Sequence, residues 1–146
     1  MTTAICREVE FATPAYQETV ALRYKILRKP IGLSFTEEQL SQEINDFHLA
    51  AYMDDKLVAC LILTHVNSDE IKMRQVAVDE NLQGKGIGKK LVQFAEAFSK
   101  DKGYEKMTLH ARETAVPFYL SMQYKTKGQP FTEVGLPHMK MYKSLN

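Results

Sequence analysis

Apolar and polar residues follow two different periods along the 146-residue chain, and their order predicts an α/β domain with a mixed sheet. A short strand is predicted over residues 4–9. Thr13 before Pro14 has the pattern of a helix N-cap followed by proline in the first turn, so a helix is expected from there to Arg28. Capping-box spacing predicts a second helix over residues 36–45.

The middle of the chain predicts a hairpin in the interior of the sheet. Strands are expected over residues 47–53 and 57–65, joined by a tight turn at Asp54-Asp55. Residues 58–63 are apolar at six successive positions. Such a run is typical of a strand covered on both faces, so helices are expected on both faces of the sheet.

The second half continues the alternation of strands and helices. A strand is predicted over residues 70–78, and its broken alternation predicts a bulge near residues 75–77. An amphipathic helix follows and is expected to end at Gly103. The residues expected on its solvent-facing side are Lys89, Lys90, Gln93, Glu96 and Lys100. The remaining elements are a strand at residues 106–110, a helix at 114–122 and a strand at 139–142. The predicted order is β-α-α-β-β-β-α-β-α-β in a single domain over residues 1–146.

The overall charge argues against two classes of partner. The chain has 19 basic and 18 acidic residues, which gives no electrostatic reason to expect nucleic acid or membrane binding. No stretch reaches the length of a membrane span, and the first ten residues lack the apolar segment of a signal peptide. Cys6 and Cys60 have no metal-ligand spacing, no metal is predicted, and Cys60 is expected to be a buried thiol. These features predict a reducing, cytoplasmic location.

Three alternate glycines, Gly84, Gly86 and Gly88, separate the strand at residues 70–78 from the helix that follows. Glycine allows sharp turns and a close approach of the backbone to a ligand. The first amides of a helix lack internal acceptors, and with the helix dipole they form an anion site. Lys85, Lys89 and Lys90 add positive charge. The segment therefore predicts a phosphate or pyrophosphate ligand.

Two common nucleotide motifs do not fit this segment. The P-loop requires a hydroxyl residue after Gly-Lys, whereas Lys90 follows Gly88-Lys89. The dinucleotide fingerprint requires G-x-G-x-x-G and an acidic residue after the next strand. The spacing here is G-x-G-x-G, and residues 106–110 contain no acidic residue.

The segment instead has the spacing Gln-x-x-Gly-x-Gly at Gln83, Gly86 and Gly88. This resembles the acetyl-CoA pyrophosphate loop of the GCN5-related N-acetyltransferase (GNAT) superfamily. Residues 76–79 resemble the family's central strand, and residues 115–124 resemble a later helix that carries an alanine, a tyrosine and Gly-Phe. The resemblance implies a GNAT-like mixed central sheet, acetyl-CoA as cosubstrate and direct acetyl transfer to a primary amine.

The resemblance also implies a set of cofactor-binding residues on the strand, the loop and the start of the helix, with one further residue at the end of the strand at 106–110. They are Val76, Ala77, Val78, Gln83, Gly84, Lys85, Gly86, Ile87, Gly88, Lys89 and Arg112. Two positions depart from the family pattern. Arg112 stands where many members carry asparagine, and Gln123 stands where glycine is usual before the aromatic.

Acetyl transfer requires an oxyanion donor, an acid for the leaving thiolate and a base for the amine. The Val76 amide is the candidate oxyanion donor. Tyr119 matches the family tyrosine near the thiol, and a phenol stays protonated at neutral pH; the alternative is a core aromatic. For the base, His110 is a candidate beside Glu70, Glu113 and a water chain; the alternative for His110 is a satisfied or exposed histidine without a role in the reaction.

The acceptor and the assembly stay open at this point. His138 either lines the acceptor pocket or fixes a turn, and Arg23 and Arg28 either meet an acidic acceptor or are solvated. The candidate acceptors are polyamines, amino acids, aminoglycoside-like amines and peptide amines. The transferred acyl group is either acetyl or longer. The resemblance also implies a homodimer, which is common in the family. A silent CoA-binding module, a nucleotide-binding regulatory domain and a protein-interaction domain are the alternative functions.

Overall fold

The computed structural model describes residues 3–146. Its strands are β1 (Ile5–Val9), β2 (Phe47–Met53), β3 (Lys56–His65), β4 (Glu70–Val78), β5 (Lys106–Arg112), β6 (Lys125–Glu133) and β7 (Leu136–Ser144). Its α-helices are α1 (Pro14–Arg23), α2 (Glu37–Ser41), α3 (Ile87–Asp101) and α4 (Val116–Ser121). The strands form a mixed sheet in the order β1-β2-β3-β4-β5-β7-β6, flanked by helices, as the predicted fold class requires.

The backbone groups into two compact units, and the first comprises the chain up to Thr64 together with Gln75–Ala95. Its strands β1, β2 and β3 are antiparallel neighbours. The predicted hairpin turn is confirmed, because Asp54 and Asp55 both have positive φ, at 51° and 63°. The apolar run of β3 is buried at six successive positions, as expected, and Cys60 within it is buried.

The caps of the first two helices are confirmed. Thr13 Oγ1 accepts a hydrogen bond from the Tyr16 amide at 3.2 Å, and α2 begins with the predicted capping box of Thr36 and Gln39. The first helix differs from the prediction in its last part. Regular α geometry ends at Arg23, and a π-helical turn (Tyr24–Arg28) follows. Pro30 provides no N–H to continue the helical ladder beyond it.

The second unit comprises His65–Arg74 and Glu96–Asn146. The start of β4 pairs in parallel with β5, and β7 lies antiparallel to both β5 and β6. The prediction placed a single strand after α4, which is wrong because β6 is also present. The residues of β6 are largely exposed and show no alternation, and Gly128 and Pro130 interrupt its register with β7. Such irregularity is tolerated on an edge strand.

Glu96 was expected to face solvent from α3, and the structure corrects this. Its carboxylate accepts hydrogen bonds from Tyr124 Oη at 2.8 Å and from Lys143 Nζ at 3.0 Å. The hydroxyl and the ammonium thus satisfy a carboxylate that is largely removed from solvent. Along residues 3–146, no helix combines the length and apolar character needed to span a membrane.

Candidate functional site

The last residues of β4 carry the strand irregularity that the sequence predicted. Gln75 has φ of 51°, a left-handed conformation that non-glycine residues adopt rarely. Val76 follows it and is half-buried, and Ala77 is buried. A left-handed residue inside a strand turns the neighbouring peptide groups away from regular ladder positions. The Val76 amide therefore lies next to a break in the strand, where it was predicted.

The connection from β4 to α3 is built by short-range hydrogen bonds. The Asp79 amide donates to Val58 O at 2.8 Å, and its carboxylate accepts from the Asn81 amide at 2.9 Å. Gln83 Nε2 donates to Val78 O at 3.1 Å. The Gln83 side chain thus ties the loop back to the end of β4 and gives the loop a defined shape.

The glycines of this loop leave its outer side open. Gly84 and Gly86 have φ of 81° and 82°, and a Cβ built on either would meet no atom within 4 Å. Helix α3 begins directly after them at Ile87, whose side chain is buried. Lys90 N–H donates to Gly86 O at 3.1 Å, and residues 3–146 show no internal acceptor for the amides of 84–89. The peptide N–H groups at the start of α3 are therefore left without backbone acceptors among the described residues, next to glycines with open space on their Cβ side.

The positive side chains around this loop have different roles. Lys85 and Lys89 are exposed and stand beside the open amides. Lys90 is engaged elsewhere, because its Nζ donates to Ala4 O. Two lysines, together with the N-terminal end of the α3 dipole, thus give the loop a positive potential.

Tyr119 is held rigidly at the end of α4 in the second unit. Its side chain is only 6% exposed, and its ring packs edge-on against Phe118 and Tyr124 at centroid distances of 5.0 and 5.6 Å. The Tyr124 amide donates to Tyr119 O and the Gln123 amide to Leu120 O, both at 3.0 Å. This is a Schellman motif, and its left-handed position is Gln123, with φ of 72°. The position where related sequences usually carry glycine is therefore one that glycine favours.

The two neighbouring tyrosines differ in their hydroxyl environment. Burial raises the pKa of Tyr119 above the ordinary phenol value, so its hydroxyl stays protonated through the neutral range. Tyr124 Oη instead donates to Glu96, and burial together with the Glu96 charge raises its pKa. The Tyr124 hydroxyl is thus committed to a structural hydrogen bond.

His110 lies near the end of β5 in a cluster of charged side chains. Its Nδ1 is 2.9 Å from Glu133 Oε1 and 3.3 Å from Lys72 Nζ. Its ring packs edge-on against Phe131 at 4.9 Å. Glu133 also lies 3.6 Å from His138 Nε2 through its second oxygen. One carboxylate therefore faces two histidines and, through His110, a lysine.

The hydrogen-bond partners define the tautomer of His110. Glu133 can only accept and the Lys72 ammonium can only donate, so the two cannot both bond to Nδ1; the shorter contact, with Glu133 at 2.9 Å, favours the tautomer with the proton on Nδ1. Burial raises the pKa of Glu133, but the hydrogen bond from His110 and the charge of Lys72 bring it below the ordinary value. Glu133 is thus ionised at neutral pH, and Nε2 of a neutral His110 ring is the nitrogen that can accept a proton.

Other candidates have structural partners. Glu70 accepts from Thr108 Oγ1 at 3.0 Å and lies 3.3 Å from Lys106 Nζ. Burial raises the pKa of Glu70, but these two partners lower it overall, which makes Glu70 a poor base. His138 Nδ1 donates to Leu136 O at 2.9 Å, which favours a role in fixing the turn.

Both expectations for Arg23, contact with an acidic acceptor and a solvated position, are wrong. Its side chain is 1% exposed and forms a bidentate pair with Glu43 inside the first unit. Arg112 ends β5 opposite His138 of β7. The part of the chain that the structure describes contains no group of three or more His, Cys, Asp or Glu residues that could hold a metal ion.

Glu133 and Gln75 are functional candidates that the sequence did not indicate. Glu133 lies on β6, the strand that was not predicted, and it approaches His110 only through the pairing of β5, β7 and β6. Gln75 was noted only as part of an irregular strand. The sequence signal that could have located the hairpin after Glu133 is Gly135, because glycine is favoured in a turn with positive φ, as Val134 and Gly135 both have.

Known proteins are similar to this chain in sequence and in fold. The acetyltransferase (GNAT) domain family matches residues 12–145. The uncharacterized N-acetyltransferase YitI of Bacillus subtilis is 24% identical over 146 residues, covering 94% of this chain and 97% of YitI. A candidate N-acetyltransferase from Lactobacillus plantarum superposes with a TM-score of 0.83 at 24% identity, covering 99% of both chains. An aminoglycoside 6′-N-acetyltransferase solved with coenzyme A has a TM-score of 0.82 at 16% identity, covering 97% of both chains.

Proposed function

The chain belongs to the GNAT family of acetyltransferases, and on that premise we propose that it transfers an acetyl group from acetyl-CoA to a primary amine. The observation that carries the proposal is the open row of peptide N–H groups before and at the start of α3. The family match over residues 12–145 supports the same function.

The loop has the features that a diphosphate ligand needs. Gly84 and Gly86 present backbone without side chains, and a Cβ at either position would stand in the space that the ligand occupies. The helix dipole and the exposed Lys85 and Lys89 favour an anion there. We assign the diphosphate to this loop. The pantetheine arm is assigned to the backbone of residues 76–78 and to Arg112.

The acetyl thioester supplies an activated carbonyl carbon, and the chain's residues bring about its transfer. The ammonium form of the amine loses one proton to His110 Nε2, and the neutral nitrogen then forms a bond to that carbon. The Val76 N–H stabilises the negative charge that develops on the carbonyl oxygen. The carbon–sulfur bond breaks, and Tyr119 donates its proton to the leaving thiolate. The nitrogen loses a second proton as the amide forms, and this proton balances the one that Tyr119 gives up. The products are an acetylated amine and coenzyme A.

A thiol-release assay across a panel of amines tests this function. The panel contains polyamines, amino acids, aminoglycosides and short peptides with free amines, each with acetyl-CoA. Amine-dependent release of thiol, with an acetylated product of the expected mass, is the predicted result. Calorimetric titration with acetyl-CoA, ATP and NAD is the companion experiment, and binding is predicted for acetyl-CoA alone. Tight acetyl-CoA binding without turnover of any amine would favour a silent CoA-binding module.

A further inference from the structure

A buried ionic network in the first unit leads from α1 to the irregular residue of β4. Arg23 Nη1 and Nη2 donate to the two Glu43 oxygens at 2.9 and 2.8 Å, and Nη1 also donates to Gln75 Oε1 at 2.8 Å. Tyr16 Oη donates to Glu43 Oε1 at 2.7 Å. The guanidinium therefore joins three segments that are far apart in sequence.

The position of this guanidinium is fixed from several sides. A bidentate pair with a carboxylate holds the planar fork of Arg23 in one orientation. The ring of Phe35 lies 5.0 Å from its Cζ and contributes a cation–π contact. Arg23 and Glu43 are both buried, so exchange with solvent does not compete with these contacts. The donor that reaches Gln75 is thus a rigid one.

Gln75 needs such a partner because its backbone is strained. Its φ of 51° lies in the left-handed region, which a residue with a side chain occupies only when the surroundings hold it there. The hydrogen bond from Arg23 fixes the Gln75 side chain and favours this conformation over a regular strand. The peptide that follows Gln75 carries the Val76 N–H, whose direction depends on the conformation of Gln75.

We propose that Arg23, held by Glu43, is a positioning residue that maintains the left-handed turn at Gln75 and thereby aims the Val76 N–H at the reacting carbonyl. The catalytic part of this inference rests on the proposed function, whereas the conformational part does not. Arg23 and Glu43 act here through Gln75 and do not contact the substrate.

Two substitutions of Gln75 separate the hydrogen bond from the backbone conformation. Gln75→Met removes the acceptor for Arg23 and keeps a side chain of similar length, so the strained turn loses its support. Gln75→Gly also removes the acceptor, but glycine takes positive φ without help. The expected result is a fall in kcat of about 10-fold for Gln75→Met, a partial loss compared with removal of an oxyanion donor. Gln75→Gly should stay within about 3-fold of the parent, and KM for acetyl-CoA should change little in both.

A second pair of variants tests the role of Arg23. Arg23→Lys keeps the charge beside Glu43 but cannot form the fork, so it should lower kcat as Gln75→Met does. Adding Gln75→Gly to Arg23→Lys should restore kcat, because the turn then needs no support. A purely structural role would move the unfolding temperature in every variant and would give no rescue.

Backbone chemical shifts of residues 74–77 provide the readout that needs no turnover. In Gln75→Met, the signals of residues 74, 76 and 77 should shift from their positions in the parent. In Gln75→Gly, the signals of the same three residues should stay close to those of the parent. Parental signals and parental kcat in Gln75→Met would overturn it, and so would an equal loss of kcat in both variants. If the parent acetylates no amine, the proposed function fails, while the chemical shifts still decide whether Arg23 supports the turn.

Discussion

The imidazole of His110 and the carboxylate of Glu133 form a hydrogen-bonded pair, with Nδ1 of His110 2.9 Å from Oε1 of Glu133. The two residues lie on β5 and β6, which are separated in the sheet by β7. A carboxylate that holds the Nδ1 proton leaves Nε2 as the basic nitrogen, the arrangement used by histidine bases in acyl transfer.

Loss of the Glu133 carboxylate should impair the base. Glu133→Ala frees His110 to change tautomer and orientation, so we expect kcat to fall about 10- to 100-fold, below the full contribution of a general base. KM for acetyl-CoA should be unchanged, since this pair has no role in holding the diphosphate. Steady-state kinetics at saturating acetyl-CoA measures both. Glu113→Ala removes an exposed carboxylate near the end of β5 and should keep the kcat of the parent. A large fall in kcat for Glu113→Ala with a parental kcat for Glu133→Ala would assign the base to Glu113.

The hydroxyl of Tyr119 should matter for turnover, and that of Tyr124 should not. Tyr119→Phe removes the proton donor and should lower kcat about 100-fold. Tyr124→Phe removes one hydrogen bond to Glu96, which should cost about 1 kcal/mol of stability and leave kcat nearly unchanged. Thiol release and thermal unfolding, measured on both variants, compare the two roles. Parental acetylation of every amine by Tyr119→Phe would make Tyr119 a core aromatic.

The buried position of Tyr119 predicts the alkaline side of the pH profile. An acid works only while protonated, so its contribution is lost as pH rises through its pKa. Burial raises the pKa of Tyr119, which moves that loss above the ordinary phenol value of about 10. The kcat of the parent should therefore show no fall due to Tyr119 between pH 7 and about 10. A fall centred near pH 8 that disappears in Tyr119→Phe would contradict this assignment.

Gln123 occupies a glycine position, and its replacement should stabilise the fold. A side chain at φ of 72° is strained, so Gln123→Gly should raise the free energy of unfolding by about 0.5–1 kcal/mol, or the midpoint by roughly 1–4 °C. Gln93→Gly, the same change at an exposed position inside α3, should instead cost about 1 kcal/mol. Calorimetric unfolding of both variants distinguishes the signs. Equal destabilisation would show that Gln123 is not strained.

Features set by neighbouring residues could be predicted from the sequence. The N-cap at Thr13, the capping box at Thr36 and the turn at Asp54-Asp55 each depend on a few adjacent side chains. The strand bounds of β4 were predicted for the same reason, because Asn67 before it and Asp79 after it are local turn signals. The roles of Tyr119, His110 and the loop residues stay predictions, as does the single-domain organisation.

Features set by distant partners could not be predicted. Strand β6 has no apolar face of its own and exists through its pairing with β7. Glu96 has a helical position typical of a solvated residue, but Tyr124 and Lys143 meet it from later segments. Arg23 lies on a helix of ordinary pattern, and only the fold brings Glu43 and Gln75 to its guanidinium. The decisive contacts of Glu96 and Arg23 join residues 20 or more positions apart, whereas β6 depends on pairing with the strand that follows it.

The affinity of the loop for coenzyme A tests the central claim most directly. Calorimetric titration of coenzyme A should give a clear dissociation constant for the parent. The affinity should fall by about 10-fold or more, which is at least about 1.4 kcal/mol, for Gly86→Ala, because the added methyl group enters the open space before the amides. Gly103→Ala adds a methyl at a similar φ beyond the C-terminal end of α3 and should bind as the parent does. Parental affinity in Gly86→Ala would contradict the account.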